Sequence, residues 1–382
     1  MWKANTAMFD EMIDPDSDGA RQPYASLFEW LNEQNFSKLC NQSKQAEELF
    51  RRIGITFNVY GQKDEQERLI PFDIIPRILS AQEWRVLEVG IVQRVAAINA
   101  FLDDVYNAQE IIKAGIIPSD LINRNKAFLP QMCGFKPPGG IYTHVVGVDI
   151  VRTDVNEFFV LEDNARVPSG VSYMIENRAT MLQMFPELFT SNHIKQVSNY
   201  PKQLFRSLAA GARDIADNPN IAVLTPGIFN SAYYEHSFLA DEMGVDLLQG
   251  SDLEVRDGKV MIRTTAGIEP VDVIYRRIDD EFIDPLSFDP QSVLGTPGLF
   301  DAYRSGNVML ANAPGSGIAD DKAIYSYMPA IIEFYMGAKP LLNNIPTWRC
   351  GNPDDLGYVL DNLAELVVKE VHGSGGYGML VG

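Results

Sequence analysis

Cysteine, basic residues and long apolar runs are all scarce in this chain of 382 residues. Cys40, Cys133 and Cys350 are widely spaced and form no CxxC or Cys/His grouping, so neither a zinc site nor a disulfide framework is indicated. The formal net charge of -19 excludes an electrostatic grip on nucleic acid or on an anionic membrane. No stretch approaches the ~18 apolar residues of a membrane span, and no leader pattern opens the chain. These absences predict a cytoplasmic protein that binds neither nucleic acid nor membrane.

The pattern of residues changes along the chain and predicts an α/β protein made of four segments. Single cores tend to stop growing at about 250 to 300 residues, so several domains are expected. Residues 1–125 show mostly helical periodicity, and residues 126–204 hold a strand pair followed by a helix. Residues 205–311 alternate strand, helix and strand, which is typical of a small doubly wound unit. Residues 312–382 run from a helix to a Gly-rich loop and end as a strand begins, so we expect this segment to be truncated.

Two local signals predict particular elements in the second half of the chain. Asp257-Gly258 stands between two strand-like runs and is typical of a two-residue hairpin. Asp320 is well placed to cap the N-terminus of a helix that reaches about Met336. Both signals depend only on short-range chemistry.

A pair of strand-like runs carries candidate metal ligands. The runs 144–152 and 158–166 are joined by a polar turn. If the turn is centred between residues 155 and 156, the antiparallel register places Asp149 directly opposite Glu162. Facing carboxylates repel each other unless a cation lies between them, so this register predicts a divalent cation.

Asn164 extends the same predicted site. It shares a face with Glu162, since side chains alternate along a strand, and two carboxylates with an amide oxygen suit Mg²⁺. Gly147 would face Asn164 and leave room for a ligand, while Asp163 would face away and is not expected to bind metal. The alternative is a solvated hairpin whose polar residues simply face water.

A Gly-rich loop near the end of the sequence predicts a phosphate-binding flap. Lys369 precedes it, and small residues let backbone N–H groups approach phosphate oxygens. The predicted nucleotide-binding residues of the loop are Gly373, Ser374, Gly375, Gly376, Tyr377 and Gly378. The loop also spells GxGxxG, but a dinucleotide site requires a helix after the last glycine, whereas the following residues favour a strand. A plain surface turn with a solvated lysine is a further alternative.

Three more cations are candidates. Lys322 lies just inside a predicted helix N-terminus, where free N–H groups favour anions, although alone it would be unremarkable. Arg276 and Arg277 end a strand-like run at its carboxyl edge, where open α/β sheets place their ligands. One of them could clamp a substrate carboxylate or a transferred phosphoryl group. An internal network with Asp279 and Asp280 is the alternative.

These motifs together resemble those of the circularly permuted ATP-grasp proteins of the second type, which are relatives of glutathionylspermidine synthase and of eukaryote-type glutathione synthetase. The likeness rests on Asp149 with the run 162–164, on Asp321-Lys322, and on Lys369 with the Gly-rich loop. It covers most of the chain from about residue 20. The carboxylates come before the lysines, which is the order that the permutation produces.

The resemblance implies a fold and a set of site residues. The fold is a circularly permuted ATP-grasp fold with an inserted doubly wound α/β substrate-side domain and a largely helical N-terminal region. The implied ligands of Mg²⁺ are Asp149, Glu162 and Asn164. The implied contacts to ATP come from Lys322, Lys369 and the Gly-rich loop. The catalytic candidates near the acceptor substrate are Arg276 and Arg277.

The implied activity is an ATP- and magnesium-dependent ligation. A carboxylate would be phosphorylated to an acyl phosphate, and an amine would displace the phosphate to form an amide or peptide-like bond. The expected partners are therefore small-molecule or peptide carboxylates and amines, with a protein partner as a further candidate. The alternative functions are a non-catalytic ATP-binding scaffold that acts through a partner protein and a nicotinamide-dependent oxidoreductase.

Overall fold

The computed structural model describes residues 9–14, 16–17, 19–57, 68–69, 71–190, 192–265, 267–371 and 378–382. Its helices are α1 (Ala25–Glu33), α2 (Phe36–Ile53), α3 (Ala81–Tyr106), α4 (Glu110–Lys113), α5 (Ser119–Asn123), α6 (Val171–Met184), α7 (Pro186–Thr190), α8 (Tyr200–Gly211), α9 (Tyr233–Met243), α10 (Leu299–Arg304), α11 (Lys322–Tyr325), α12 (Met328–Met336) and α13 (Pro353–Asp361). None of the helices in these ranges is long and apolar enough to cross a membrane.

The strands are short, apart from two that form a hairpin in the middle of the chain. They are β1 (Thr56–Phe57), β2 (Arg68–Leu69), β3 (Gly147–Asp154), β4 (Glu157–Asn164), β5 (Ile221–Leu224), β6 (Asp246–Leu248), β7 (Leu253–Arg256), β8 (Lys259–Thr264), β9 (Gly267–Pro270), β10 (Val273–Arg276), β11 (Met309–Ala311), β12 (Asn343–Asn344), β13 (Val367–Lys369) and β14 (Met379–Val381).

The chain divides into two compact units, each made of two stretches of sequence. The first unit is Met1–Trp84 with Ser169–Ala302, and the second is Arg85–Pro168 with Tyr303–Gly382. This division differs from the four predicted segments. The reason is that α3, from Arg85 onward, packs with the strand pair that follows it, where Arg94 bonds to Asp163.

Helix α2 shows how the N-terminal sequence builds the core of the first unit. Leu39, Ala46 and Phe50 recur at helical spacing and are buried against residues of α1, α6 and α7. Asn35 caps the start of the helix through its side chain, and Gly54 ends it in the left-handed conformation with φ 80°. The predicted helical character of this region is therefore confirmed.

A parallel sheet forms another part of the first unit. β5 lies between β10 and β6 and is buried along its whole length. Helices α8 and α9 pack beside these strands. The order β5, α9, β6 matches the predicted strand, helix and strand. The carboxyl ends of β5 and β10 lead into Thr225 and Arg277, so the arginine pair lies at the predicted edge.

The predicted Asp257-Gly258 hairpin is confirmed. It joins β7 to β8, with Arg256 opposite Lys259. Asp257 has φ 50° and Gly258 has φ 76°, the positive values that a tight two-residue turn between right-twisted strands requires. β9 pairs with β8 and completes an antiparallel ribbon.

In the second unit, β4 pairs with β3 on one side and with β12 on the other. Gly147 lies opposite Asn164 and Asp149 lies opposite Glu162, as the predicted register requires. The same register returns at the turn, where Asp154 lies opposite Glu157. The ends of this hairpin were therefore predicted correctly.

The middle of the β3–β4 ladder departs from the prediction. Between the two ends the register slips by one residue, so that Val151 lies opposite Phe159. The irregularities lie at Leu161 in β4 and at Thr153 in β3, each of which adds one residue on its own strand. Because the two extra residues are on opposite strands, the two register shifts cancel. The predicted register therefore holds again at Asp149 and Glu162.

The helix predicted to start after Asp320 is different in the structure. Asp321, not Asp320, caps α11, and its side chain accepts hydrogen bonds from the amides of Ala323 and Ile324. The helix also stops early, and α12 begins separately with Pro329 in its first turn. A proline there cannot continue the preceding helix, because its ring would clash with a carbonyl one turn back.

Candidate functional site

Asp149 and Glu162 face each other across the β3–β4 ladder, so their side chains leave the same face of the sheet. Asp149 is exposed and Glu162 is half-buried. Partial desolvation, the charge of Glu162 and a hydrogen bond to Glu162 raise the pKa of Asp149. Of these causes, the opposing carboxylate is the one that a bound cation would counteract.

Asn164 lies two residues beyond Glu162 and closes this face of the hairpin. Its side-chain nitrogen donates to the Gly147 carbonyl at 3.5 Å, which leaves the amide oxygen as the atom that could bind a metal. A Cβ atom at position 147 would lie 3.3 Å from Cβ of Pro168 and 3.5 Å from Cβ of Asn164. A glycine is therefore favoured at this position.

The chemistry of these three side chains fits a hard divalent cation. Two carboxylates and an amide oxygen, completed by water and phosphate oxygens, are what Mg²⁺ takes up at phosphoryl-transfer sites. In the part of the chain that the structure describes, no group of three or more His, Cys, Asp or Glu is placed to hold a metal. A cation at the hairpin would therefore depend on the amide of Asn164 and on oxygens of a bound phosphate.

Lys322 begins α11 and points its ammonium group toward this hairpin. Its Nζ lies 4.0 Å from Oε2 of Glu162, and the side chain is 24% exposed. The helix does not offer free amides to an anion, because Asp321 already accepts from Ala323 and Ile324. The predicted contribution of bare helix N–H groups is therefore wrong, and the ammonium group is what Lys322 can offer to a phosphate.

Lys369 acts on Asp149 from another strand. It ends β13, which pairs with β14 so that Lys369 lies opposite Met379. Its positive charge acts on Asp149, where it opposes the other causes and lowers the pKa. The backbone amide of Lys322 donates to the Val371 carbonyl at 3.4 Å. The segments that carry the two lysines are therefore neighbours.

The Gly-rich loop is described only at its end. The predicted residues Gly373, Ser374, Gly375, Gly376 and Tyr377 lie outside the described residues. Gly378 has φ 67°, a conformation that favours glycine, and leads into β14. Because a strand and not a helix follows Gly378, the dinucleotide-binding alternative is wrong.

Arg276 and Arg277 belong to the first unit, and both side chains are buried. Arg276 forms an ion pair with Asp280 at 2.7 Å. Arg277 forms one with Glu235 at 3.1 Å and donates to the hydroxyl of Tyr275 at 3.0 Å. The structure thus shows the internal network that was the alternative for these arginines, and a catalytic role for them stays a prediction.

Glu235 was not identified from the sequence. It is buried in α9, and besides Arg277 it accepts from the amides of Gly170 and Ser172 at 2.7 and 3.1 Å. These amides are at the start of α6, so one carboxylate joins α6, α9 and the carboxyl end of β10. Its partners are 42 to 65 residues away along the sequence, and no local sequence pattern predicts such contacts.

Asn312 is a second residue that the sequence did not reveal. It is 1% exposed, and its amide oxygen accepts from the backbone of His144 and Val145 at 2.7 and 3.0 Å. Its amide nitrogen donates to the carbonyls of Val145 and Ala165 at 2.7 and 2.8 Å. A single side chain therefore ties the approach to β3 to the residue that follows Asn164.

Asp320 holds the same stretch of backbone as Asn312. Instead of capping α11, it accepts from the amides of Ala165 and Arg166. The backbone just beyond Asn164 is thus held by two side chains, Asn312 and Asp320. This fixes the end of β4, where the candidate metal ligands are located.

Comparison with known proteins identifies the family. The family model described as a circularly permuted ATP-grasp matches residues 76–382. That range includes all the candidate ligands and lysines. The predicted membership of the circularly permuted ATP-grasp proteins is therefore confirmed.

Several relatives match nearly the whole chain. An uncharacterized Synechocystis protein, sll0335, is 49% identical over 98% of this chain and 78% of its own length. An uncharacterized Mycobacterium tuberculosis protein, Rv2411c, is 48% identical over 98% of this chain and 67% of its own. A Frankia alni protein provisionally named glutamate–cysteine ligase 2-3 is 40% identical over 98% of this chain, which spans 43% of that relative.

A solved structure shows the same fold. It is a glutathione synthetase-like effector, GSS30, from Globodera pallida in its apo form. The TM-score is 0.55 at 12% sequence identity, with 92% of this chain and 77% of that chain covered. Together with the mixed α/β architecture and the family match over residues 76–382, this shows that the chain belongs to the circularly permuted ATP-grasp family.

Proposed function

We propose that the protein is an ATP- and Mg²⁺-dependent ligase that joins a carboxylate to an amine through an acyl phosphate. The observation that carries the proposal is the facing pair Asp149 and Glu162, with the ammonium group of Lys322 4.0 Å from Glu162. Membership of the ATP-grasp family supports the use of ATP. The names of two Frankia relatives, 40% and 38% identical, support the class of reaction.

The substrates that we propose are a small-molecule or peptide carboxylate and an amine. The order of motifs, which resembles that of glutathionylspermidine synthase, supports this class, in which the product is an amide or peptide-like bond. The chain spans 43% of each Frankia relative, so the particular amino acids in their names are not carried over to this protein.

The chemistry divides into two displacements. First, a carboxylate oxygen bonds to the γ-phosphorus of ATP, and the bond from that phosphorus to the bridging oxygen breaks, which releases ADP. Second, the amine nitrogen bonds to the acyl carbon, the bond to the phosphate oxygen breaks, and the nitrogen loses a proton to solvent. Neither step requires a nucleophilic side chain. The task of the protein is to hold the reactants and to offset negative charge.

The residues of the site suit that task. Asp149, Glu162 and Asn164 would hold Mg²⁺, which would supply positive charge beside the phosphate oxygens. Lys322 and Lys369 supply further positive charge from two other elements. The negative charge of the transferred phosphoryl group would thereby be offset by positive charge on several sides. Offsetting this charge is the main requirement of phosphoryl transfer.

Isothermal titration with a non-hydrolysable ATP analogue, with and without Mg²⁺, tests the first part of the proposal. We expect binding that depends on magnesium. Carboxylate and amine pairs would then be screened for ADP release. Binding without ADP release from any pair would favour a non-catalytic scaffold instead.

A double variant tests the site directly. Asp149→Ala with Glu162→Ala should abolish ADP release, since it removes both carboxylates. The matched control is Asp154→Ala with Glu157→Ala, because these residues form a second facing acidic pair at the turn of the same hairpin. Undiminished turnover by the Asp149 and Glu162 variant would rule out the proposed site.

A further inference from the structure

Asp163 stands between Glu162 and Asn164 in β4 but points to the opposite face. Its two carboxylate oxygens accept from Nε and Nη2 of Arg94 at 2.7 and 2.6 Å. Arg94 is 1% exposed and Asp163 is 2% exposed. The pair is therefore a buried, two-point ion pair directly behind the candidate metal ligands.

The remaining guanidinium nitrogen of Arg94 bonds to a residue of a different strand, β12. Nη1 of Arg94 donates to Oδ1 of Asn344 at 2.8 Å. Nδ2 of Asn344 in turn donates to the backbone carbonyl of Tyr325 at 2.7 Å. Tyr325 is the last residue of α11, the helix that begins with Lys322. A continuous chain of hydrogen bonds thus runs from β4 to the helix that carries the lysine.

Tyr325 closes the network on β4. Its ring lies 5.6 Å from the guanidinium carbon of Arg94. Its hydroxyl donates to the Val160 carbonyl in β4 and accepts from the amide of Ile345 at 3.0 Å. The parallel pairing of β12 with β4 runs beside these bonds. Helix α3, strands β4 and β12, and helix α11 therefore share one buried polar network.

We propose that the network centred on Arg94 is a positioning device for the phosphate site. It sets the orientation of Glu162 and Asn164 relative to Lys322. This inference rests on the proposed function. Its physical basis is that a guanidinium held at three fixed points allows its partners one arrangement, whereas an apolar contact allows several.

Stability alone does not account for the network. Replacing a buried ion pair by apolar residues of similar volume is often neutral or stabilising. An apolar pair at these positions would therefore hold α3 against β4 about as well. An apolar pair cannot fix the direction of the side chain at position 163. It therefore cannot fix the orientation of the neighbouring residues of β4 either.

This difference defines the decisive variant. Arg94→Met combined with Asp163→Leu removes both charges together and leaves neither one buried alone. We expect its midpoint of urea unfolding to match or exceed that of the wild type. We expect its affinity for the Mg²⁺ complex of a non-hydrolysable ATP analogue to fall by about 10- to 100-fold, as when supports behind metal ligands are removed.

Two further variants complete the set. Asn344→Ala removes only the link between Arg94 and α11, and a loss of affinity of about tenfold is expected. Tyr335→Phe is the control, because its hydroxyl bonds to Asp104 at 2.6 Å in another buried network of the same unit. It should reduce stability without changing the affinity.

The outcomes separate the two proposals. If the wild type binds the magnesium nucleotide and the double variant is folded but binds more weakly, the positioning role is supported. If both bind equally, the positioning role is overturned and the proposed function stands. If the wild type does not bind, the proposed function fails and this inference fails with it. Should the double variant not fold, Asn344→Ala against Tyr335→Phe decides by the same comparison.

Discussion

The ammonium nitrogen of Lys322 lies 4.0 Å from Oε2 of Glu162, while Asp149 faces that same carboxylate from the neighbouring strand. Glu162 is therefore shared between a negative and a positive neighbour. At partial exposure such an ion pair contributes little to stability. Its significance is that the ammonium group of Lys322 already lies on one side of the carboxylate pair. The phosphate of a bound nucleotide would meet the same positive charge.

Neutralising Asp149 should preserve the stability of the protein but remove its binding of the nucleotide. In the absence of Mg²⁺, Asp149→Asn removes repulsion between facing carboxylates, so the free energy of unfolding should be unchanged or should rise by up to about 1 kcal/mol. Magnesium-dependent binding of the ATP analogue should be lost. Urea unfolding and isothermal titration of the same preparation measure the two effects.

Glu157→Gln is the control for that variant. Glu157 faces Asp154 at the turn of the same hairpin, so its neutralisation relieves a similar repulsion at the end of the ladder opposite to Gly147 and Asn164. Binding of the nucleotide should be retained. Equal loss of binding in both variants would show that the hairpin as a whole is required, and would contradict a site at Asp149.

Asn312→Ala should destabilise the second unit strongly. The side chain bonds to backbone groups of His144, Val145 and Ala165, and these would be left buried without their partner. Each such loss costs about 1 to 3 kcal/mol, so a total of about 3 kcal/mol is expected when relaxation is allowed for. Chemical denaturation measures it.

Asn352→Ala provides the matched comparison for Asn312→Ala. Asn352 is exposed and caps α13 by accepting from the amide of Asp354 at 2.9 Å. Loss of such a cap costs about 1 kcal/mol. If the two asparagine variants lose equal stability, the proposed anchoring role of Asn312 is wrong.

Glu235→Ala should be among the most harmful substitutions in the first unit. It would leave the guanidinium of Arg277 buried without its carboxylate and would remove the acceptor for two amides of α6. Breaking a buried pair on one side costs about 3 to 5 kcal/mol. Combining Glu235→Leu with Arg277→Met should recover much of this loss, as measured by denaturation. A double variant less stable than Glu235→Ala would contradict the argument.

His236 should make the first unit sensitive to acid. Burial, followed by the positive charge of Arg277, lowers the pKa of His236 from 6.5 to about 3. The unfolded chain takes up a proton that the folded chain refuses, so stability is complete above pH 6.5 and is lost as the pH falls toward 3. At pH 5 the loss from this group is about 2 kcal/mol.

The measurement is the free energy of unfolding at pH 7.5 and pH 5, for the wild type and for His236→Asn. Asparagine keeps a polar group beside the hydroxyl of Thr225, which lies 2.9 Å from Nδ1 of His236. The variant should show a smaller difference between the two pH values. An unchanged difference would mean that other groups carry the acid sensitivity.

Much of the candidate site was predictable because its geometry is local. The two-residue turn between β3 and β4 sets the register at one end, and strand alternation then brings Asp149, Glu162 and Asn164 to one face. The compensating irregularities at Thr153 and Leu161 were not predictable, because an extra residue in a strand has no strong sequence signal. The prediction reached the site only because the two shifts cancel.

The supports of the site could not be predicted in this way. Arg94 lies 69 residues from Asp163, and Asn312 lies 147 residues from Ala165. Nothing in a window of sequence around Asp163 indicates which arginine will pair with it. The same holds for the capping of α11, where Asp320 and Asp321 are equally good candidates until the position of Ala165 is known.

By itself the sequence determined the elements whose shape depends on neighbouring residues: the two ends of the β3–β4 hairpin, the Asp257-Gly258 turn, and the alternation of strand and helix around β5. It also carried the order of motifs that marks the family. Only the tertiary structure decided the pairing of Asp163 with Arg94, the burial of Arg276 and Arg277 in ion pairs, and the division into two units. The physical reason is that turns and strand alternation are set by local backbone geometry, whereas buried polar groups must find partners wherever packing places them.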